Sequence, residues 1–339
     1  MIPVIPGVFG PSDSPTPTTH TRRDTGRDSS LGAVPDPRTI GELLRDVSPD
    51  LAREFDDVGV PAALDFRLQG PFALAAIASY WPHGSERSAV LAGPEVLRVP
   101  GAIEGVRRFA ATANVPVANT WGAKGVFNWD SPHHMGTCGL QAADFALLGL
   151  ADYDRIVATG IDPLESPEER FGLAPVLYVE PGSFWHFIDV PRMNDEIPPN
   201  DLYGRIAGVA QPGYVDDSFP RHPARAVMDL KRSIGPDALV FGQPGPAGLW
   251  LARTFPTDRP GSICVPSVSK PGIATALALA ATLHGIDAVA VTTDPVDETT
   301  RAVLDAAPDA IRIEAWGDDV DWSRTKDLID AAGPVVAWT

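Results

Sequence analysis

The sequence predicts an α/β protein with two doubly wound parallel sheets behind a partly disordered N-terminal extension. Three observations carry this. From Ser88 onward, short apolar strands alternate with helix-length amphipathic segments. The strands are apolar throughout, as strands buried on both faces are. After a Pro- and Asp-rich interruption the alternation resumes and runs to the last residues.

Taken in order, residues 1–38 read as a disordered lead-in, because "PSDSPTPTTHTRRDTGRDSSLGAVPDPR" is polar, Pro-rich and without an apolar period. Residues 39–87 read as a helical segment. In "TIGELLRDVSPDLAREF" the apolar residues fall at Ile40, Leu43, Leu44, Leu51 and Phe55, with Ser48 and Pro49 ending one helix and starting the next. "PFALAAIASYW" from Pro71 is apolar enough for a buried helix. Residues 88–200 form the first sheet domain. "SAVLAG", "VPVANT", "DRIVATG" and "APVLYVE" are its strands, and "PGAIEGVRRFAATA" and "GLQAADFALLGL" its helices. Residues 201–235 show no clear period and read as a connection. Residues 236–339 form the second domain, with strands "DALVFG", "DAVAVTTD", "AIRIEAW" and "PVVAWT" and a buried helix in "PSVSKPGIATALALAATLHG".

Composition narrows the function. The net charge is −17 and no dense Lys/Arg stripe is present, which argues against nucleic acid as a partner. Small anions stay open, because screening over about 8 Å lets a local nest of N–H groups oppose the global sign. No apolar run reaches a membrane span and no signal peptide is visible, so the expectation is a cytoplasmic protein. Cys138 and Cys264 are the only cysteines, too few for a disulfide framework, and read as small buried groups.

"SAVLAGPEVLRVPGAIEGVRRFAATANVPVANTWGAKGVFNWDSPHHMGTCGLQAADFALLGLADYDRIVATGIDP" resembles the central domain of thiamine-diphosphate-dependent enzymes of the acetolactate synthase and pyruvate oxidase type. The motifs appear in that family's order: Leu91–Ala92–Gly93, Pro116–Val117, Lys124–Gly125, Pro132 to Gly136, and Ala158–Thr159–Gly160. The last hundred or so residues resemble a shortened, degenerate diphosphate-binding domain. The resemblance implies a DHS-like, NAD/FAD-binding type of fold for the first domain, with a crevice that holds FAD or an ADP-like nucleotide in some relatives and nothing in others. Its positions here are Gly93, Thr120, Gly136, Thr137, Gly139, Gly160, Asp162 and Glu180, with the turn from Gly136 to Gly139 opening a helix and facing the ligand.

The same resemblance implies an incomplete thiamine site. Where the family has Gly-Asp-Gly, this chain has Thr293–Asp294–Pro295, and no Asn follows Asn200. Asp294 is the one candidate metal ligand. The family's glutamate has no counterpart in a recognisable setting, since Glu42 and Glu54 read as surface helix charges. Pro94 and Glu95 also depart from the small residues that follow the first glycine, and a carboxylate there repels phosphate at short range.

Each local motif has a plainer reading. His133 and His134 are adjacent and point apart on a regular element, so they cannot share one metal ion, and only His134 and Cys138 could converge. A Cys138 nucleophile is open in principle, but no orienting partner can be named and a buried thiol is the simpler reading. "EPGSFWHF" at 180–187 would serve as an aromatic wall for a base or as core packing, with packing the favoured reading.

The expectation is therefore a thiamine-enzyme homologue without a complete cofactor site, non-catalytic or scaffold-like, with FAD or an ADP-like nucleotide as the candidate ligand. The alternative is a subunit of a split lyase or carboligase, in which a partner chain supplies the pyrimidine-binding domain and completes a thiamine diphosphate and Mg²⁺ site. A homo-oligomer is the other expected assembly, and the reaction, if there is one, is left open.

Overall fold

A computed structural model of the chain describes residues 39–69, 87–171, 174–187, 190–293, 297–306 and 311–338. The lead-in over 1–38, the segment from Pro71 and the candidate ligand Asp294 lie outside the described residues.

Two short helices, α1 (Ile40–Leu44) and α2 (Pro49–Glu54), come first and are followed by α3 (Ala62–Gln69). Thr39 and Glu42 form a reciprocal capping box on α1, so Glu42 is used locally, and Ser48 caps α2 ahead of Pro49. Strand β1 (Ser88–Ala92) then leads into α4 (Glu95–Arg98), α5 (Ala102–Ala113) and β2 (Val117–Thr120). Next come β3 (His134–Cys138), α6 (Asp144–Leu147), β4 (Arg155–Thr159) and β5 (Val176–Tyr178). These five strands are parallel in the order β3-β2-β1-β4-β5. The order reverses between β1 and β4, and the carboxyl ends of those strands define the crevice where such sheets hold ligands.

Helices α7 (Asp201–Tyr214) and α8 (Pro223–Ser233) follow. The second sheet contains β6 (Leu239–Gly242), β7 (Ile263–Cys264), β8 (Ala288–Thr292) and β9 (Arg312–Ala315), parallel in the order β7-β6-β8-β9. Its helices are α9 (Pro246–Thr254), α10 (Ile273–Leu283), α11 (Glu298–Ala306) and α12 (Thr325–Ala332).

Strand alternation sorts the interior into two cores, and both sheets contribute to each. Val90, Ala92, Leu239, Phe241, Ala288 and Ala290 enter one core with α1, α5 and α10. Ala89, Leu91, Val240, Val289 and Val291 enter the other with α8, α9 and α12. The uninterrupted apolar runs are thus explained by burial on both faces, and every residue of β1 and β8 is buried.

Several local expectations change. "SPHHMGTCGL" does not open a helix but forms β3, the edge strand beside β2. Its register slips between Val117/His134 and Ala118/Gly136, a bulge that Gly136 accommodates at φ +118°. The expected helix in "GLQAADFALLGL" shrinks to α6 and a 3₁₀ turn at Leu150–Asp152, with Gly149 left-handed at φ +66° between them. The expected connection over 201–235 contains α7 and α8. Asn200 caps α7, which buries Leu202, Ile206 and Ala210 at helical spacing, and Pro223 opens α8. The closing "PVVAWT" makes one antiparallel bridge, Val335 to Gln141, rather than a strand.

Candidate functional site

The residues singled out from sequence gather at the carboxyl edge of the five-stranded sheet. Gly93 follows β1, Thr120 ends β2, Gly136 and Thr137 lie in β3 with Gly139 just after it, Gly160 and Asp162 follow β4, and Glu180 follows β5. Their proximity does not make an open cradle. A Cβ built on Gly93 would lie 2.2 Å from the Gly160 carbonyl oxygen. The Gly93 N–H donates to Thr159 O at 2.8 Å and the Glu95 N–H to Gly160 O at 3.1 Å. The two turns at the switch point therefore lie directly on one another, and the glycines permit that contact. The exposed Glu95 carboxylate pairs with Arg98 at 3.2 Å.

Asp162 organises the next turn. Its Oδ1 accepts the Leu164 N–H at 2.9 Å, and its carbonyl accepts the N–H groups of Glu165 and Ser166, each at 3.0 Å. This turn directs Glu165 inward, where it is 4% exposed. Thr120 Oγ1 donates to Glu165 Oε2 at 2.5 Å, and the Gly122 N–H donates to the same oxygen at 3.0 Å. Burial pushes the Glu165 carboxyl up to about 8 against those two hydrogen bonds, so the group is mostly protonated at neutral pH. Trp121 and Ser166 sit close by, both within 3.2 Å of where a Cβ on Gly139 would be. Trp121 Nε1, Ser166 Oγ and Thr159 Oγ1 are buried without a hydrogen-bond partner.

A second buried group lies toward β3. Arg253 of α9 bonds to the Asp144 carboxylate, to Gln141 Oε1 at 3.0 Å and to Thr137 O at 2.6 Å. Burial pushes the Asp144 carboxyl up while Arg253 pulls it back. Lys124 is also buried and donates to Thr137 Oγ1 at 3.4 Å. Burial first, and the Arg253 charge second, bring its amine down to about 7.

The histidines take separate places. His133 Nδ1 lies 3.2 Å from Val115 O, and burial lowers its pKa. His134 packs edge-on to the Tyr203 ring and is pulled down to about 3, by burial and then by the Lys124 charge. Cys138 is fully buried, and burial raises its thiol well above the ordinary value, so the thiolate a nucleophile needs is disfavoured. Among the described residues no group of three or more His, Cys, Asp or Glu side chains converges as a metal site. In "EPGSFWHF", Phe184 and Phe187 are buried against Phe109, with ring centroids 5.3 and 5.7 Å from it, and Arg108 lies over Trp185 at 4.4 Å. These aromatics pack on α5, while Glu180 is exposed beside them.

With this geometry in place, the comparisons fall on the same segment. Residues 83–171 match the family model of the thiamine pyrophosphate enzyme central domain. Over that segment, about a quarter of the chain, the sequence is related to the thiamine pyrophosphate enzymes. No curated protein matches the sequence at a significant level. Among solved structures, the fold is similar to that of a candidate thiamin diphosphate-dependent enzyme from Mycobacterium smegmatis, with TM-score 0.51 and 20% identity. That similarity covers 72% of this chain and 55% of the other, so this chain spans little more than half its length. At such identity the likeness is one of fold.

Against the thiamine pyrophosphate enzyme pattern, the switch point here does not fit a diphosphate. Backbone fills the space beside Gly93, and Glu95, Asp162 and Glu180 put three carboxylates around the turns. At the second sheet, the Ala247 N–H of α9 is taken by Thr293 Oγ1 at 3.1 Å. Sequence reasoning missed Glu165 and the Arg253–Asp144 pair. "GIDPLES" reads as an ordinary polar turn, and the contact between Arg253 and Asp144 joins residues more than a hundred positions apart.

Proposed function

We propose that this chain is a non-catalytic, scaffold-like relative of the thiamine pyrophosphate enzymes, one whose central-domain crevice is closed by its own side chains. The observation that carries this reading is Glu165, held by Thr120 Oγ1 and the Gly122 N–H at the carboxyl end of β2. Direct contact between the Gly93 and Gly160 turns supports it. A nucleotide at this edge would have to displace a buried carboxyl and separate two bonded turns, with acidic side chains flanking the entrance.

Native mass spectrometry of the purified full-length protein tests the reading, because it reports any ligand carried through purification. The expected spectrum shows the polypeptide mass, as monomer or oligomer, without FAD, ADP or thiamine diphosphate. A stoichiometric adduct of any of the three overturns the proposal.

A further inference from the structure

A groove of about 650 Å³ lies between the C-terminal half of α7, the loop that follows it and α12. Its volume falls within the range of about 300–1,000 Å³ in which small organic ligands are held. None of the residues singled out from sequence lines it. The α7 wall carries Gly208, Val209 and Pro212. Pro212 stands inside the helix and has no N–H to return to the Gly208 carbonyl, so that oxygen lacks its ordinary helical donor. Gly208 is exposed and has no side chain to cover it.

His222 lines the groove from the start of α8 and is only 6% exposed. Its ring is fixed on two sides: a Cβ on Gly213 would lie 2.3 Å from Nδ1, and the Trp250 ring stands edge-on at 5.3 Å. Nδ1 accepts the Ala224 N–H at 3.1 Å, which leaves the proton on Nε2. Burial first, and the Arg324 charge second, lower the pKa of the ring against Asp216, Asp327 and Asp321, so it is neutral at pH 7. Nε2–H is thus a neutral donor at the groove, and it makes no hydrogen bond among the described residues.

The charges on the lining are uneven. Arg324 and Asp327 face each other at 3.6 Å, and Asp330 bonds Lys326. Asp216 accepts the Ser218 N–H at 2.9 Å, and among the described residues it has no cation in salt-bridge reach. Three carboxylates against one guanidinium disfavour an anion, whereas Asp216 and the Gly208 carbonyl suit an ammonium. The neutral Nε2–H calls for an uncharged oxygen.

We propose that this groove binds a small aliphatic amino amide, with its ammonium toward Asp216 and the Gly208 carbonyl, its amide oxygen on His222 Nε2–H and its side chain on Val209 and Pro212. Each of the three groups answers a feature of the wall that nothing else in the chain satisfies.

The test is calorimetric titration of the full-length protein at neutral pH with leucinamide, 3-methylbutylamine and N-acetylleucinamide. 3-Methylbutylamine keeps the cation and the branched chain but lacks the carbonyl, and N-acetylleucinamide lacks the cation. Leucinamide should bind saturably and one to one, with each of the other two weaker by about tenfold or more, the worth of one charge-assisted or buried hydrogen bond. Gly208→Leu fills the groove and should abolish the binding, while Gly204→Leu, one turn earlier on α7 and outside the lining, should leave it unchanged. A Cβ at either position meets nothing within 4 Å, so both variants fold. Absence of saturable leucinamide binding overturns the proposal. So does 3-methylbutylamine bound as tightly as leucinamide, a comparison that needs no variant, and so does equal binding in Gly208→Leu and Gly204→Leu. The outcome is separate from the reading of the closed crevice, none of whose residues lines this groove.

Discussion

The carboxyl edges of the two sheets hold their polar groups in opposite ways. At the four-stranded sheet, among the described residues, two neutral side chains serve the backbone. Gln243 donates to Lys270 O at 2.7 Å and accepts the Ala274 N–H at 3.2 Å, while Thr293 Oγ1 caps α9. At the five-stranded sheet the buried groups are titratable or charged: Glu165, Lys124, His134 and the Arg253–Asp144 pair. The first arrangement costs little at any pH. The second makes stability depend on protonation. Both edges belong to parallel sheets with similar cores, so the difference lies in the loops and not in the fold.

The largest expected effect comes from the fully buried ion pair between Arg253 of α9 and Asp144 of α6. Arg253→Met leaves the Asp144 carboxylate without its partner and should lower unfolding free energy by about 3–5 kcal/mol in urea denaturation. A loss below about 1 kcal/mol would mean that the ion pair matters no more than an exposed one.

The pH dependence comes next. Glu165 is raised from 4.5 to about 8, so its folded form prefers the proton and stability falls as pH rises from 4.5 to 8. Lys124 is lowered from 10.5 to about 7, so its folded form prefers to be neutral and stability recovers as pH rises from 7 to 10.5. His134, lowered from 6.5 to about 3, acts with the opposite sign below pH 6.5 and offsets Glu165 there, so the net fall lies between about 6.5 and 8 and leads to a trough between about 7 and 8. Its acid limb is about 2 kcal/mol and its alkaline limb on the order of 3 kcal/mol, because a tenfold change in a proton affinity on folding is worth about 1.4 kcal/mol and the surroundings relax around the charge. Glu165→Gln should flatten the acid limb and Lys124→Met the alkaline limb. Denaturation midpoints measured across that range check both, and a profile unchanged in either variant contradicts the assignment of that limb.

The glycines that end the first strand of each sheet give a smaller contrast. Gly93→Ala meets the Gly160 backbone at 2.2 Å, which cannot yield without moving a turn, and should cost about 2–3 kcal/mol. Gly242→Ala meets the side chains of Leu251 and Val265 at 2.9 and 3.0 Å, which can rotate, and should cost about 1 kcal/mol. Thermal unfolding of the two variants side by side decides it, and equal losses would mean that the switch-point turns are not in firm contact. Smallest in its pH dependence is Gln243→Ala, which should cost about 1 kcal/mol by the same amount at every pH, as befits a neutral edge.

Much of this was legible in the sequence because burial on two faces leaves an unbroken apolar run. "SAVLA" and "AVAVT" announce parallel strands, and strand ends then locate the edge where Gly93, Thr120, Gly160 and Asp162 meet. The strand at His134–Cys138 was not legible, because a bulge at Gly136 hides the period of two that would have marked it. Helices α7 and α8 were obscured by Pro212, Pro220 and Pro223, although one of these lies inside a helix and another at its first turn. Which polar residues are buried could not be read at all. Glu165 and Lys124 look like surface charges in a row of letters, and only the packing of distant loops takes them out of water.

The most direct test of the closed edge is calorimetric titration of the full-length protein with ADP, with FAD, and with thiamine diphosphate plus Mg²⁺. A closed edge gives no saturable heat with any of the three, and no shift of the unfolding temperature with ligand concentration. Saturable one-to-one binding that is abolished in Gly93→Ala or strengthened in Glu165→Ala would show instead that the crevice beside β1 and β4 is open to a nucleotide, and would contradict it.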